Sequence, residues 1–284
     1  MTGAAAGRPW LALYDEGNPP EIEPEFSNCL ELWRWNATRF PDRPMMHYFE
    51  TTLTVAEVDR MSDGLAVALV GLGLQRGDRV AVYLQNIPQF VVAQLATWKA
   101  GGVMVSVNPM RARELDVMLT DSGASVLVCL ESLYGDVAGA VVLGTAVRTV
   151  ITTSELDLAG ATTSPLLAGV TRQRHDGTLD LLDLVARHDG ARPDPVSTES
   201  GDVAFLSYTS GTTGPPKGAM NTHRNVVFNA QTTGSGYTSP RTTCAWPSPP
   251  CSTSPASWPT SRCRCWSPCR WCCPIGSIPP RCWR

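Results

Sequence analysis

Leucine, valine, aspartate, glutamate and lysine are all missing from residues 231 to 284 of this 284-residue chain. Without Leu or Val a segment has little from which to build the apolar face of a helix or strand. Without Asp, Glu or Lys its only charges are six arginines. It holds instead eight of the ten cysteines and five of the nine tryptophans. Other absences concern the whole chain. No run of eighteen apolar residues occurs, so no transmembrane segment is expected. The start, Met1-Thr-Gly-Ala-Ala-Ala-Gly-Arg-Pro9, lacks a basic stretch followed by an apolar core. It does not read as a secretory signal, and the cytoplasm is the expected compartment. Residues 1 to 230 contain only Cys29 and Cys129, expected to be reduced packing residues.

The charge divides at the same place. Residues 1 to 230 hold 17 basic and 26 acidic side chains, a net of −9 against +6 for the remainder. Cys269-x-x-Cys272, with Cys263, Cys265 and Cys273 nearby, has zinc-ligand spacing, but the segment has no His and no second well-spaced pair. A disulfide module would need an export signal. A slip of the reading frame accounts for the vocabulary better. When the last nucleotide of each codon is joined to the first two of the next, Trp246-Pro247 and Trp258-Pro259 must each give Ala. Trp271-Cys272 must give Val, and Cys265-Trp266 and Cys272-Cys273 must each give Leu. Ala245 to Ser257 then permits L-A-V-A-P-L-F-H-I-T-G-L, and the next stretch permits V-A-H-I-A-L-P-L-L-V. That is strand and helix vocabulary. The expectation is a partial folded domain over 1–230, a frame slip shortly after Gln231, and a non-native segment over 231–284 that is irregular or disordered.

Within 1–230, strand and helix patterns alternate, which predicts an α/β fold with a mainly parallel sheet and helices on both faces. A helix is expected from Asn28 to Phe40, closed by Pro41. Thr54-Val-Ala-Glu57 is a capping box opening a helix through Leu72. Arg79–Tyr83, Val103–Val107, Ser125–Cys129 and Thr149–Thr152 read as strands. Asn86 is the expected cap of a helix with Pro88 in its first turn and Gly101-Gly102 at its end. Further helices are expected over Arg113–Thr120 and Asp180–Arg187, with an irregular stretch over Thr162–Thr178 and a linker over Pro193–Gly201.

The richest segment follows apolar Val203-Ala-Phe-Leu206, a candidate buried parallel strand. Thr209, Ser210, Gly211, Thr212, Thr213, Gly214, two prolines and Lys217 place four hydroxyls, two glycines and one lysine in nine residues. Gly211 and Gly214 let the backbone approach a ligand closely. Successive N–H groups in such a turn favour an anion, and Lys217 adds a full positive charge. A polyphosphate cradle is the reading. It is not a P-loop of the G-x-x-x-x-G-K-[ST] type, because Pro216 precedes the lysine and Gly218 follows it. No helix is expected to open at Lys217. A turn into another extended segment should follow, with Thr222 capping a helix over His223–Ala230.

Other candidates are weaker. Gly71-x-Gly73-x-x-x-Gly77 reads as a helix cap and turn, Trp33 and Trp35 as packing residues, and Asn36-Ala-Thr38 as a glycosylation sequon inside a helix. No partner is evident for His47, His175 or His188. His223 is open between a solvated helix-start residue and a substrate-side group.

Thr209 to Lys217 resembles the signature of the adenylate-forming family, which includes acyl-CoA synthetases, luciferases and peptide-synthetase adenylation domains. Pro9-Trp10-Leu11, Pro24-Glu-Phe26 and Phe40-Pro-Asp-Arg-Pro44 are similar to its fatty-acid–CoA ligase branch. The permitted P-L-F-H resembles the family's aromatic–histidine motif. The resemblance implies activation of a carboxylic acid with ATP and magnesium, then transfer to coenzyme A. A long- or medium-chain fatty acid is the expected substrate, with aryl or amino acids as alternatives. Residues 209–214 and 217 would hold the phosphates. The family's catalytic, metal and acyl-binding residues would lie beyond residue 230, so none is assigned here, and the chain is expected to be an inactive, truncated remnant. No nucleic-acid partner is expected, and the oligomeric state is open.

Overall fold

The computed structural model describes residues 8–14, 20–110, 112–162, 164–209 and 216–236. The Asn28 side chain accepts from the Glu31 amide at 2.9 Å and caps helix α1 (Cys29–Arg39). A two-stranded antiparallel hairpin follows, β1 (Pro44–Tyr48) and β2 (Thr51–Thr54). Thr54 and Glu57 form the expected capping box: the Glu57 amide donates to Thr54 Oγ1 at 3.2 Å, and the Thr54 amide donates to Glu57 Oε2 at 2.7 Å. Helix α2 (Val55–Gly71) then runs to a left-handed Gly73, φ 89°, whose amide bonds the Val70 carbonyl while that of Leu74 bonds Leu69. Cap and turn is therefore the role of Gly73, and the sequence expectation holds.

The main sheet is built from β3 (Arg79–Tyr83), β4 (Val103–Ser106), β5 (Val126–Leu130), β6 (Thr149–Thr153), β7 (Leu179–Asp180), β8 (Val203–Thr209) and β9 (Lys217–Thr222). Its spatial order is β7-β6-β5-β3-β4-β8-β9, parallel throughout except for β9, which runs antiparallel to β8. Helix α3 (Pro88–Lys99) joins β3 to β4, and α4 (Leu115–Ser122) joins β4 to β5. Helix α5 (Leu181–Arg187) follows β7, and α6 (His223–Gly236) follows β9. A broken helical stretch occupies 131–144.

The strands' period of two sorts their side chains between two cores. Val80, Val82, Met104, Val126, Val128 and Ile151 are buried with residues of α1, α2 and α3. Ala81, Tyr83, Val105, Leu127 and Cys129 are buried on the other side with Leu115, Met118 and Leu119 of α4. Helices cover both faces, as the pattern predicted.

Two details differ from the sequence expectation. Asn86 is not the cap of α3; Ile87 occupies that position with no side-chain cap. Pro88 at the first helical position excludes the residue before it from the helical region and has no amide that needs satisfying. Helix α6 extends beyond Ala230 to Gly236. Gln231 Oε1 accepts from the Glu25 amide at 2.9 Å, and Thr232 Oγ1 donates to the Phe228 and Asn229 carbonyls.

Candidate functional site

Strand β8 lies between β4 and β9, and its register sets the mouth of the predicted cradle. On one side Ser106 of β4 faces Ser207 in parallel pairing. On the other, Tyr208 faces Gly218 and Thr209 faces Lys217 in antiparallel pairing. The mouth thus sits past the carboxyl end of a parallel strand, where open α/β sheets bind their ligands. Because β9 follows Lys217 directly, no helix opens there, and the P-loop reading is excluded by the structure as it was by spacing.

Of the predicted phosphate ligands, Thr209 and Lys217 are described, and both side chains are exposed. Ser210, Gly211, Thr212, Thr213 and Gly214 lie outside the described residues. Thr209 Oγ1 points to the Lys217 carbonyl at 3.5 Å. Among the described residues no carboxylate pairs with Lys217. An exposed hydroxyl and a free ammonium at the end of a β-strand suit a phosphate oxygen. Among the described residues no cluster of three His, Cys, Asp or Glu could hold a metal ion, and no side chain here is assigned to magnesium.

Sequence reasoning missed the residues that hold the mouth in place. Tyr208 Oη donates to Asp121 Oδ2 of α4 at 2.6 Å. Partial burial, then the neighbouring Asp121, raises the pKa of this phenol. A Cβ on Gly218 would come within 3.1 Å of Tyr208 Cζ, so glycine lets β9 lie against the ring. Asn221 Nδ2 reaches Ser207 Oγ at 3.3 Å one rung further in.

His223 is neither solvated nor at the mouth. It is 3% exposed, its ring lies 5.7 Å from that of Trp98, and Nδ1 accepts weakly from the Cys29 amide at 3.4 Å. Burial, partly offset by Asp202, lowers its pKa to about 4. It is a packing residue. So is Cys29, whose thiol is pushed up to about 12 by burial, and Cys129 is shifted in the same direction. Trp33 is buried and donates to Asp59 at 2.6 Å, whereas Trp35 is half exposed between the edges of Phe26 and Phe40. His47 faces Thr52 Oγ1 at 2.9 Å, and His175 faces the Glu131 carbonyl at 2.8 Å.

The family model described as "AMP-binding enzyme" matches residues 33–281. A long-chain-fatty-acid–CoA ligase of Yersinia pestis is 35% identical over 242 residues, 80% of this chain and 42% of its own length. One of Bacillus subtilis is 31% identical over 233 residues, covering 79% of this chain and 41% of its own length. Among solved structures, a long-chain-fatty-acid-CoA ligase from Archaeoglobus fulgidus superimposes with a TM-score of 0.60 at 25% identity, covering 78% of this chain and 42% of that one. An acetoacetyl-CoA synthetase from Streptomyces lividans gives 0.57 at 31% identity, covering 71% of this chain and 31% of that one. The chain therefore spans about 42% of the curated relative it matches in Yersinia pestis. With residues 33–281 matched by the family model and relatives above 30% identity over most of its length, the chain belongs to the AMP-binding enzyme family.

Proposed function

We propose that this chain carries the phosphate-binding part of an ATP-dependent acyl-CoA ligase acting on a long- or medium-chain fatty acid. In that reaction the carboxylate attacks the α-phosphate, the bond to pyrophosphate breaks, and coenzyme A then displaces AMP to leave a thioester. The observation that carries the reading is the pairing of Thr209 with Lys217 at the carboxyl end of β8, with the lysine exposed and without a carboxylate partner among the described residues. Thr209, Ser210, Gly211, Thr212, Thr213, Gly214 and Lys217 would hold the β- and γ-phosphates and offset the charge growing on the leaving pyrophosphate. Each charge-assisted hydrogen bond there contributes about 1.5–3 kcal/mol. Bound magnesium would share in neutralising that charge. The names of the Yersinia and Bacillus relatives favour a fatty acid over an aryl or amino acid.

We propose further that the reading frame slips after Gln231 and that the polypeptide as it stands does not complete adenylation. Residue vocabulary and codon constraints support the slip; the family match that reaches residue 281 weighs against it. The test is a single-nucleotide correction near the Gln231 codon. The corrected frame should read on through P-L-F-H and past 284 residues, and its product should ligate a fatty acid to coenzyme A. In that product Lys217→Ala with Thr212→Ala should raise KM for ATP and lower kcat, with the melting temperature unchanged. Unaltered kinetics would remove the phosphate assignment, and an early stop codon would remove the frame slip.

A further inference from the structure

Tyr208 stands immediately before the proposed cradle, and the reading of Thr209–Lys217 as a phosphate site gives it no part. Its surroundings are unusually constrained for a strand end. Its hydroxyl donates to Asp121 of α4, an element 87 residues away in sequence, at 2.6 Å. Gly218 lies against the ring: a Cβ there would sit 3.1 Å from Cζ and 3.4 Å from Oη. Tyr208 and Gly218 are also partners in the β8–β9 register, one rung before Thr209 and Lys217. Among the described residues that last rung has one side-chain bond, from Thr209 Oγ1 to the Lys217 carbonyl, and it is 3.5 Å long. Strand β9 is the outer strand of the sheet, and Lys217, Gly218, Ala219 and Met220 are all exposed. Among the described residues no strand pairs with its far side. The hold on the mouth comes from the inner side, through Tyr208 and α4.

We propose that Tyr208 is a positioning residue, whose hydroxyl on Asp121 and ring against Gly218 clamp the β8–β9 mouth and hold Lys217 opposite Thr209 for a polyphosphate anion. This rests on the polyphosphate reading above. A lysine whose backbone wanders loses part of its interaction with a fixed phosphate to ordering entropy, and the clamp removes that loss before the ligand arrives. The ring fills the space that the absent Gly218 side chain leaves, so the contact and the hydrogen bond act on the same rung.

The test uses the full chain, with inorganic tripolyphosphate as the probe, which needs no adenine or acyl site. Tyr208→Phe keeps the ring and removes the hydroxyl; Asp121→Asn leaves the hydroxyl a weaker partner. Calorimetric Kd for tripolyphosphate should rise three- to tenfold in each variant, and the double variant should be no worse than the weaker single one. Trypsin cleavage after Lys217, measured without ligand, should accelerate in both, with cleavage elsewhere in the chain unchanged. A purely structural role would lower the melting temperature and leave Kd and the Lys217 cleavage rate alone. The clamp is overturned if Tyr208→Phe binds tripolyphosphate as tightly as the parent chain, or if its Lys217 site is cut at the parent rate. Lys217→Ala separates the two readings. If it weakens binding while Tyr208→Phe does not, the cradle stands and the clamp falls. If parent and Lys217→Ala bind alike, the cradle falls, and an unchanged cleavage rate then removes the clamp as well.

Discussion

At the scale of single residues, His223 shows how misleading proximity in sequence can be. It follows the phosphate segment closely, yet the chain turns through β9 and delivers it to the first position of α6, against Trp98 and the start of α1. Burial favours its neutral form and lowers its pKa from 6.5 to about 4. A depressed histidine pKa means that the unfolded chain takes up a proton first as pH falls. Stability from the neutral ring is thus complete above pH 6.5 and is lost between 6.5 and about 4. The loss amounts to about 3 kcal/mol, at 1.36 kcal/mol for each pH unit. His223→Gln should flatten this part of the stability–pH curve in urea titrations. An equally steep curve in the variant would assign the slope to other groups. Nothing in the sequence distinguished this histidine from an exposed one, because its burial depends on Cys29, which lies 194 residues away.

At the scale of elements, legibility followed the range of the interactions. The α2 capping box, the Gly73 and Gly101 helix ends and the apolar strands β3 to β6 use neighbours within a few residues, and the sequence displayed them. The β1–β2 hairpin was not legible. Its turn runs through Phe49, with φ at 49°, and Glu50, neither of them a usual turn residue, and the Tyr48 and Phe49 rings meet edge to face at 4.7 Å. Strand β7 has two residues, too few to show a period. The broken helix over 131–144 and the Tyr208–Asp121 bond went unnoticed for the same reason: distant partners fix them. One such partner set joins α2 to α3. Lys99 Nζ, nearly buried, meets Asp59 and Asp63 at 2.6 Å each and Ser62 Oγ at 2.9 Å. Lys99→Met would leave two partly buried carboxylates without the cation between them, Asp59 keeping only the Trp33 indole donor and Asp63 only the exposed Arg192 at 4.0 Å. The cost should be about 3–5 kcal/mol in urea unfolding. A loss below about 1 kcal/mol would mean that the carboxylates reach water instead.

At the scale of the whole molecule, residues 231–284 do not share the residue vocabulary of residues 1–230. The family and the mainly parallel sheet with helices on both faces were legible because local patterns carry them, whereas the strand order, set by contacts between distant segments, was not. The acyl substrate was not, since no local residue pattern in the chain specifies it. If residues 237–284 add no native contacts, a chain ending at Gly236 should melt within a degree or two of the full chain and remain more soluble. A clearly lower melting temperature would make the segment part of the fold and remove the frame slip. The most direct measurement of the central claim is carboxylate-dependent ATP–pyrophosphate exchange, run side by side on the chain as it stands and on its frame-corrected product. The account predicts no exchange above background from the first, and exchange that depends on a long- or medium-chain fatty acid and on Lys217 from the second. Exchange by the uncorrected chain, or none by a folded corrected product with any fatty acid, would contradict it.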